Sequence, residues 1–470
     1  MKKIFSIAIV SLLFMVSGYG QESNRPARIS KPVYFDISPP LTQLANLPAM
    51  KADQSWKDGT VKNFFNMRKR DTMKHEEGFS ETQIQTMFGP LTTDTTIANF
   101  EGMGGSSVLP PDTDGDVGPN HYFQVVNCVY AIFNKAGGLL LGPMANNQVW
   151  AGIPNNSNSG DAVVLYDETA DRWLFSQFSL PFFPNGPFFQ MIAVSQTPDP
   201  LGSYYRYQYQ FDDMPDYPKF GVWPDGYYMS CNRFSAGSTS WMGTGAAVFH
   251  RDLMLSGDPN AQMIYFTTPT NNEASSLLPS DCDGLFPPMG TPNYFTYVTD
   301  WNPYHLGILE FHTNWETPSS STFGNLLQLP VNAFDPSIGN GIPQKNTSVT
   351  LSTLSDRLMF RQQFRKFNNH WSMVLNHSVN AGSNRAGIRW YELQKTSGAW
   401  SIYQQSTYAP SDNKSRWMGS IAMDTAGNIA LGYSISGTDM FPSIRYTGRL
   451  HNDALNTMTV NERGIINGGG

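Results

Sequence analysis

One unit recurs along this chain: an acidic, glycine-containing turn that runs straight into an alternating apolar strand. It is fullest in PPDTDGDVGPNHYFQVVNCVY, which begins at Pro110. Shorter versions return where Asp225-Gly226 leads into Tyr227-Tyr228-Met229 and where Asp424-Thr425-Ala426-Gly427 leads into Ile429-Ala430-Leu431. A turn signal followed by a strand-like run marks a β-hairpin, and its recurrence predicts a repeat protein. Six hairpin-like cores can be placed, at 116–131, 161–179, 221–234, 292–312, 356–379 and 416–436. Their spacing averages about 60 residues, longer than the roughly 40 to 50 of regular propeller blades and suited to four-stranded blades with long loops.

Composition points the same way. Charged residues are 15% of the 470 and aromatics 13%; low charge with abundant Tyr, Phe, Gly and Pro is what many short strands and tight turns require. The expected fold class is all-β, a β-propeller with six recognisable blades. A parallel β-helix or a chain of sandwich domains would also give regular strands. Long polar loops and divergent units favour radial repetition, in which each blade buries its faces against its neighbours. Asp171-Arg172-Trp173 and Ser415-Arg416-Trp417 both set Arg-Trp ahead of alternating residues, and Trp223-Pro224-Asp225-Gly226 joins a Trp to a turn; a Trp at such points packs between blades.

Residues 1–20 read as a secretory signal peptide: Lys2-Lys3, then an apolar run from Ile4 to Val16, then small residues before Gln21. The run is shorter than the roughly 20 residues needed to span a bilayer, and no later stretch is long and apolar enough to do so. The expected location is secreted or cell-surface. Residues 21–95 differ from the rest and read as an N-terminal extension, with a short amphipathic helix around Val61, Phe64, Phe65 and Met73 and a basic cluster, Arg68-Lys69-Arg70, that is read as a solvated face. The propeller occupies 96–470. A formal net charge of −7 leaves no basic face for a phosphate backbone, which argues against a nucleic-acid partner. Cys128, Cys231 and Cys282 are too few for a disulfide framework and lack the spacing of a zinc site, so buried thiols are expected.

The motifs PPDTDGDVGPNHY, VVLYDETADRW, YPKFGVWPDGYYMS, AGIRWYEL and RWMGSIAMDTAGNIALGYS resemble those of a largely uncharacterised family of secreted bacterial β-propeller-like proteins, over about 100–449. The resemblance implies an exported repeat scaffold without supplying a substrate or catalytic residues. It also implies a seventh blade beyond Gly470, so that the ring here lacks its last blade. The alternative is a closed six-bladed ring in which residues 97–105 pair with strands within 444–460.

Asp112, Asp114 and Asp116 alternate at i, i+2 and i+4, so a tight loop that turned their carboxylates inward would offer hard oxygen ligands to calcium, with Asp281 and Asp283 of the SDCDG turn as further donors. Against an EF-hand, Val117 stands where its Gly belongs and Phe123 where its closing Glu belongs. Turn-making by local hydrogen bonds is the competing reading. Arg172, Arg357, Arg361, Arg389, Arg416 and Arg445 are numerous enough for a sialidase-like carboxylate clamp, but the Asp-box pattern is absent and structural arginines between blades are expected. No GxSxG, HExxH or P-loop occurs, and the histidines are scattered through separate units. The loop Phe182-Phe183-Pro184-Asn185-Gly186-Pro187-Phe188-Phe189 offers rings to a sugar or a partner, with packing between blades as the alternative. The leading functional expectation is non-enzymatic: an exported propeller that binds a glycan or protein ligand. The rival is a secreted glycoside hydrolase with two carboxylates about 5 to 10 Å apart in the central pocket.

Overall fold

A computed structural model describes residues 25–53, 56, 83–92, 96–105, 108–270, 274–299, 304–339 and 341–469. The expected leader, the amphipathic segment and the basic cluster at 68–70 lie outside the described residues.

The fold is all-β, with a propeller-like arrangement of sheets. Among the described residues, six antiparallel meanders of four strands follow one another, starting with the strands Asp114–Val117, Val163–Asp167, Met214–Trp223, Leu278–Asp283, Gln362–Lys366 and Ser415–Met423. The fourth and fifth are joined into one nine-stranded sheet by parallel pairing of their first strands, Ser280 opposite Gln362 and Asp283 opposite Arg365. Each of the six cores placed from sequence falls in a different meander. The fourth is one strand late, at Asn293–Val298 and His305–His312, because the first strand there, LPSDCD, carries two carboxylates and shows no apolar alternation.

Side chains alternate across a strand, and here both faces are covered. In Tyr204–Phe211, Tyr207, Tyr209 and Phe211 pack toward the third meander, while Tyr204 joins the layer shared with the first. In Phe188–Ser195 every residue is buried. Aromatic layers fill successive interfaces. Phe123 stacks on Phe175 between the first and second meanders, Phe220 on Phe249 next to the second, and Trp223 meets Phe364 edge-on at 4.7 Å between the third and fifth. Of the Phe182–Phe189 loop, Phe188 and Phe189 are core and Phe182 is exposed. All three cysteines are buried, and no disulfide joins them.

The stretch expected as an N-terminal extension is, in its described parts, an edge strap. Arg28–Ser30 adds a strand to the outer edge of the third meander, Tyr34–Ile37 to the second and Ile84–Gln85 to the fifth. Arg206 fixes the second attachment, donating from Nε and Nη2 to the two oxygens of Asp36 at 2.8 and 2.6 Å. Leu91 then bridges Val460 on the last strand of the sixth meander, Asn99 donates to the Ile465 carbonyl at 2.9 Å, and Phe100 packs on Tyr122 and Phe133 of the first. Leu91 and Asn99 on the sixth meander and Phe100 on the first thus link the two. A sheet edge left bare would be a row of unpaired backbone groups, and the strap covers it.

Candidate axial site

The first strands of the meanders face one another around a common axis. Asp116 of the first meander is close enough to feel the charges of Arg361 in the fifth and Asp283 in the fourth, and Asp114 feels Lys219 of the third. Each such strand has a second edge toward its neighbour, whose amide groups need acceptors.

The DGD motif supplies them. Strand alternation places Asp114 and Asp116 on one side with Gly115 between, and two residues of strand rise carry the carboxylates past alternate amides of the next first strand. Asp114 Oδ2 accepts from Val164 N at 2.9 Å and Asp116 Oδ2 from Tyr166 N at 2.8 Å. The same device recurs. Asp281 Oδ1 accepts from Val222 N at 2.7 Å, and Gln363 Oε1 accepts from Met423 N at 2.5 Å. These side chains latch one meander to the next. Burial pushes the Asp114 and Asp116 carboxyls up to about 6, against the opposing pull of their hydrogen bonds and of Arg361 and, for Asp114, Lys219.

The expected calcium trio therefore does not converge. Asp112 has a left-handed backbone, φ 38°, and its Oδ2 accepts from Asn127 Nδ2 at 2.7 Å in the preceding turn, while the other two carboxylates serve as latches. Among the described residues no group of three or more His, Cys, Asp or Glu side chains is placed to hold a metal ion. Asp281 and Asp283 meet Arg361, whose guanidinium donates to both, and Gln363 donates to Asp283. Burial raises Asp281, whereas Arg361 outweighs burial at Asp283 and holds it below the usual carboxylate range.

The other arginines disperse. Arg172 donates to the Ala170 and Asp171 carbonyls, Arg389 to Gln405 and the Asn332 carbonyl, Arg416 to Asp412 and Glu462, and Arg445 to the Ile444 and Ile466 carbonyls. Only Arg357 and Arg361 join the axis. The histidines disperse too: His377 is buried against Tyr391, and burial pushes its ring down to about 3.

Toward the N-terminal ends of the first strands lies a cluster that sequence reasoning missed. The first strand of the third meander bulges between Asp216 and Lys219, and Tyr217 at the bulge has φ 55°, an uncommon conformation for a bulky residue. Its ring centroid lies 4.0 Å from Lys219 Nζ and 5.2 Å from Arg357 Cζ, and Lys219 Nζ is also 5.5 Å from the Phe360 ring. Asp216 sits beside Asp161; burial first, then the Asp161 charge, push the Asp216 carboxyl up, with Arg357 and Lys219 pulling the other way. Asp161 is 7% exposed, and its buried Oδ1 has no hydrogen-bond partner among the described residues. A relay from the DGD turn positions it: Asp112 holds Asn127, whose Oδ1 accepts from Asp161 N at 2.9 Å. Gly160 precedes it at φ 103°, where a Cβ would stand 2.9 Å from that same Oδ1. The available signal was MPDYPKF, where two prolines flank Asp-Tyr and break a strand's alternation. Prolines in a central strand mark a bulge.

No family model matches the chain and no curated protein matches it. Among solved structures it is similar to a polysaccharide lyase of family 25, an ulvan lyase bound to -[GlcA(1-4)Rha3S]- (10% identity, 73% of this chain and 80% of that one, TM-score 0.37). It is also similar to an α-L-arabinanase of Penicillium chrysogenum complexed with arabinobiose (8% identity, 76% and 95%, TM-score 0.37) and to a thermostable family-43 glycoside hydrolase (13% identity, 65% and 96%, TM-score 0.30). Likeness at this level carries no functional argument. Among the described residues no helix is long and apolar enough to cross a membrane.

Proposed function

We propose that this chain is an exported six-bladed propeller that binds a glycan at the end of its axis formed by Asp161, Asp216, Tyr217, Lys219, Arg357 and Phe360. The observation that carries the reading is the Tyr217 bulge. A strained aromatic on a first strand, flanked by a second ring, an ammonium group with no ion pair among the described residues and two adjacent carboxylates, is a set that stacks on the apolar face of a sugar and bonds its hydroxyls. The count of six blades is inferred from the contacts of Leu91 and Asn99 with the sixth meander and of Phe100 with the first, in preference to the seventh blade that the family resemblance implies. Export is inferred from the leader at 1–20. Four axial carboxylates are engaged by main-chain amides or Arg361, which supports binding over catalysis.

A second reading, glycoside hydrolysis at the same place, is favoured by one observation: Asp216 is raised by burial beside Asp161, the environment that separates an acid from a base. A glycan array run beside a panel of polysaccharide substrates decides between them. Binding without turnover supports the leading reading. Turnover that Asp216→Asn abolishes supports the second, and capture of protein ligands alone overturns both.

A further inference from the structure

A cavity away from the axis opens between the fourth and fifth meanders. It measures about 260 Å³ and is lined by Ile308, Glu310, Asn325 and Leu327 on one side and by Lys395 and Trp400 on the other. The fourth-meander wall is shaped by an irregularity in pairing between Ile308 and Glu310, opposite which Asn325 takes φ 52°. Bulges re-aim side chains, and this one brings Asn325 Nδ2 to Glu310 Oε2 at 3.3 Å, with His312 Nε2 on the same oxygen at 3.1 Å. On the facing wall Lys395 Nζ donates a hydrogen bond to Tyr294 Oη at 3.1 Å and lies 5.2 and 5.4 Å from the Tyr294 and Trp371 ring centroids.

Glu310 and Lys395 sense each other's charge across the cavity yet form no ion pair among the described residues, and burial holds the Lys395 ammonium below its usual range. Two opposite charges that face each other across an open gap constrain what fits between them. A simple anion satisfies Lys395 and is repelled by Glu310, and a simple cation does the reverse. A polyhydroxylated ring suits both walls, because each hydroxyl donates and accepts: it can donate to Glu310 and accept from Lys395 and Asn325. Half-buried Leu327 supplies the accessible apolar surface for its C–H face, backed by the buried Ile308 and Trp400 side chains. The volume suits one sugar ring.

We propose that this seam is a second carbohydrate site, one that takes a single neutral pyranose unit and works independently of the axial cluster. On a long polysaccharide, two such sites on one rigid body raise the effective concentration of each for the other, so avidity exceeds the affinity of either.

The test is saturation-transfer NMR on the full chain, with methyl pyranosides of gluco, galacto, manno and xylo configuration as probes and glycine as a zwitterionic counter-probe. The expected result is a signal from at least one pyranoside that falls at least fivefold in Glu310→Gln and in Lys395→Met and persists in Lys219→Met, the axial variant. Melting curves confirm that each variant is folded. Should Lys395→Met fail to fold, Asn325→Asp, exposed and on the cavity wall, takes its place and must also lower the signal. The proposal is overturned if no pyranoside gives a signal at tens of millimolar, if the signal is unchanged in the seam variants, or if glycine binds in place of the sugars. Loss of signal in Lys219→Met alone would place sugar binding at the axis and overturn the seam site while leaving the axial reading intact.

Discussion

If the DGD carboxylates are latches that pay for their position by burial, then neutralising one should stabilise the protein at neutral pH. Asp114→Asn is the cleanest perturbation, because the amide oxygen can still accept from Val164 N while the charge is gone. Burial raises the Asp114 carboxyl from 3.8 in the unfolded chain to about 6 in the fold. The folded state therefore holds the proton more tightly. The stability this confers is complete below about pH 4 and is lost as the pH rises through about 6. Two units of pKa correspond to about 3 kcal/mol. Asp114 keeps some solvent contact, and screening there brings the expected gain to about 1 to 2 kcal/mol. Urea denaturation followed by tryptophan fluorescence between pH 4 and 8 is the assay. Asp114→Asn should be the more stable protein above pH 6, and the two stability curves should merge near pH 4. A variant less stable than the parent by 1 kcal/mol or more at pH 7.5 would refute the reasoning, since Asp114 would then be held by its charge.

Three further outcomes follow from the same geometry. Arg361→Met leaves Asp281 without its counter-ion and Asp283 with the longer Arg365 contact at 3.7 Å, and should cost about 3 to 5 kcal/mol, with Asp283→Asn in that background recovering part of the loss in denaturant titrations. Asp36→Ala removes the bidentate partner of buried Arg206 and loosens the strap on the second meander; about 3 kcal/mol of destabilisation should appear together with faster proteolysis within residues 25–50. Because Asp112, Asp114 and Asp116 are engaged separately, excess chelator should leave the melting temperature unchanged, and a fall of several degrees reversed by calcium would show a site that this arrangement does not contain.

The hairpin cores were legible because turn chemistry and alternation are local. Asp225-Gly226 and Asp424-Thr425-Ala426-Gly427 make their turns with their own side chains and backbone, and each sits between paired strands. The acidic motif at 112–116 was visible as well, but its use was not. Whether a DxD pair binds a metal or a neighbouring strand's amides depends on Val164 and Tyr166, 50 residues on. Strand Leu278–Asp283 was missed for the same reason, since its carboxylates look outward in sequence and are satisfied by Arg361, Val222 and Gln363 from other meanders. The strap was hidden because short edge strands such as Arg28–Ser30 carry no periodicity. The Tyr217 cluster draws on three meanders and the loops before them, and no spacing rule joins Asp161 to Lys219 and Phe360.

The central claim, that the axial cluster holds the ligand, is tested most directly by calorimetric titration of an array-identified glycan into the parent protein, Tyr217→Ala and Lys219→Met, each checked for an unchanged melting temperature. The account predicts at least a tenfold rise in Kd for both variants, since an aromatic face and an ammonium bonded to sugar hydroxyls contribute about 1.5 kcal/mol or more each. Equal Kd values in all three proteins would contradict it.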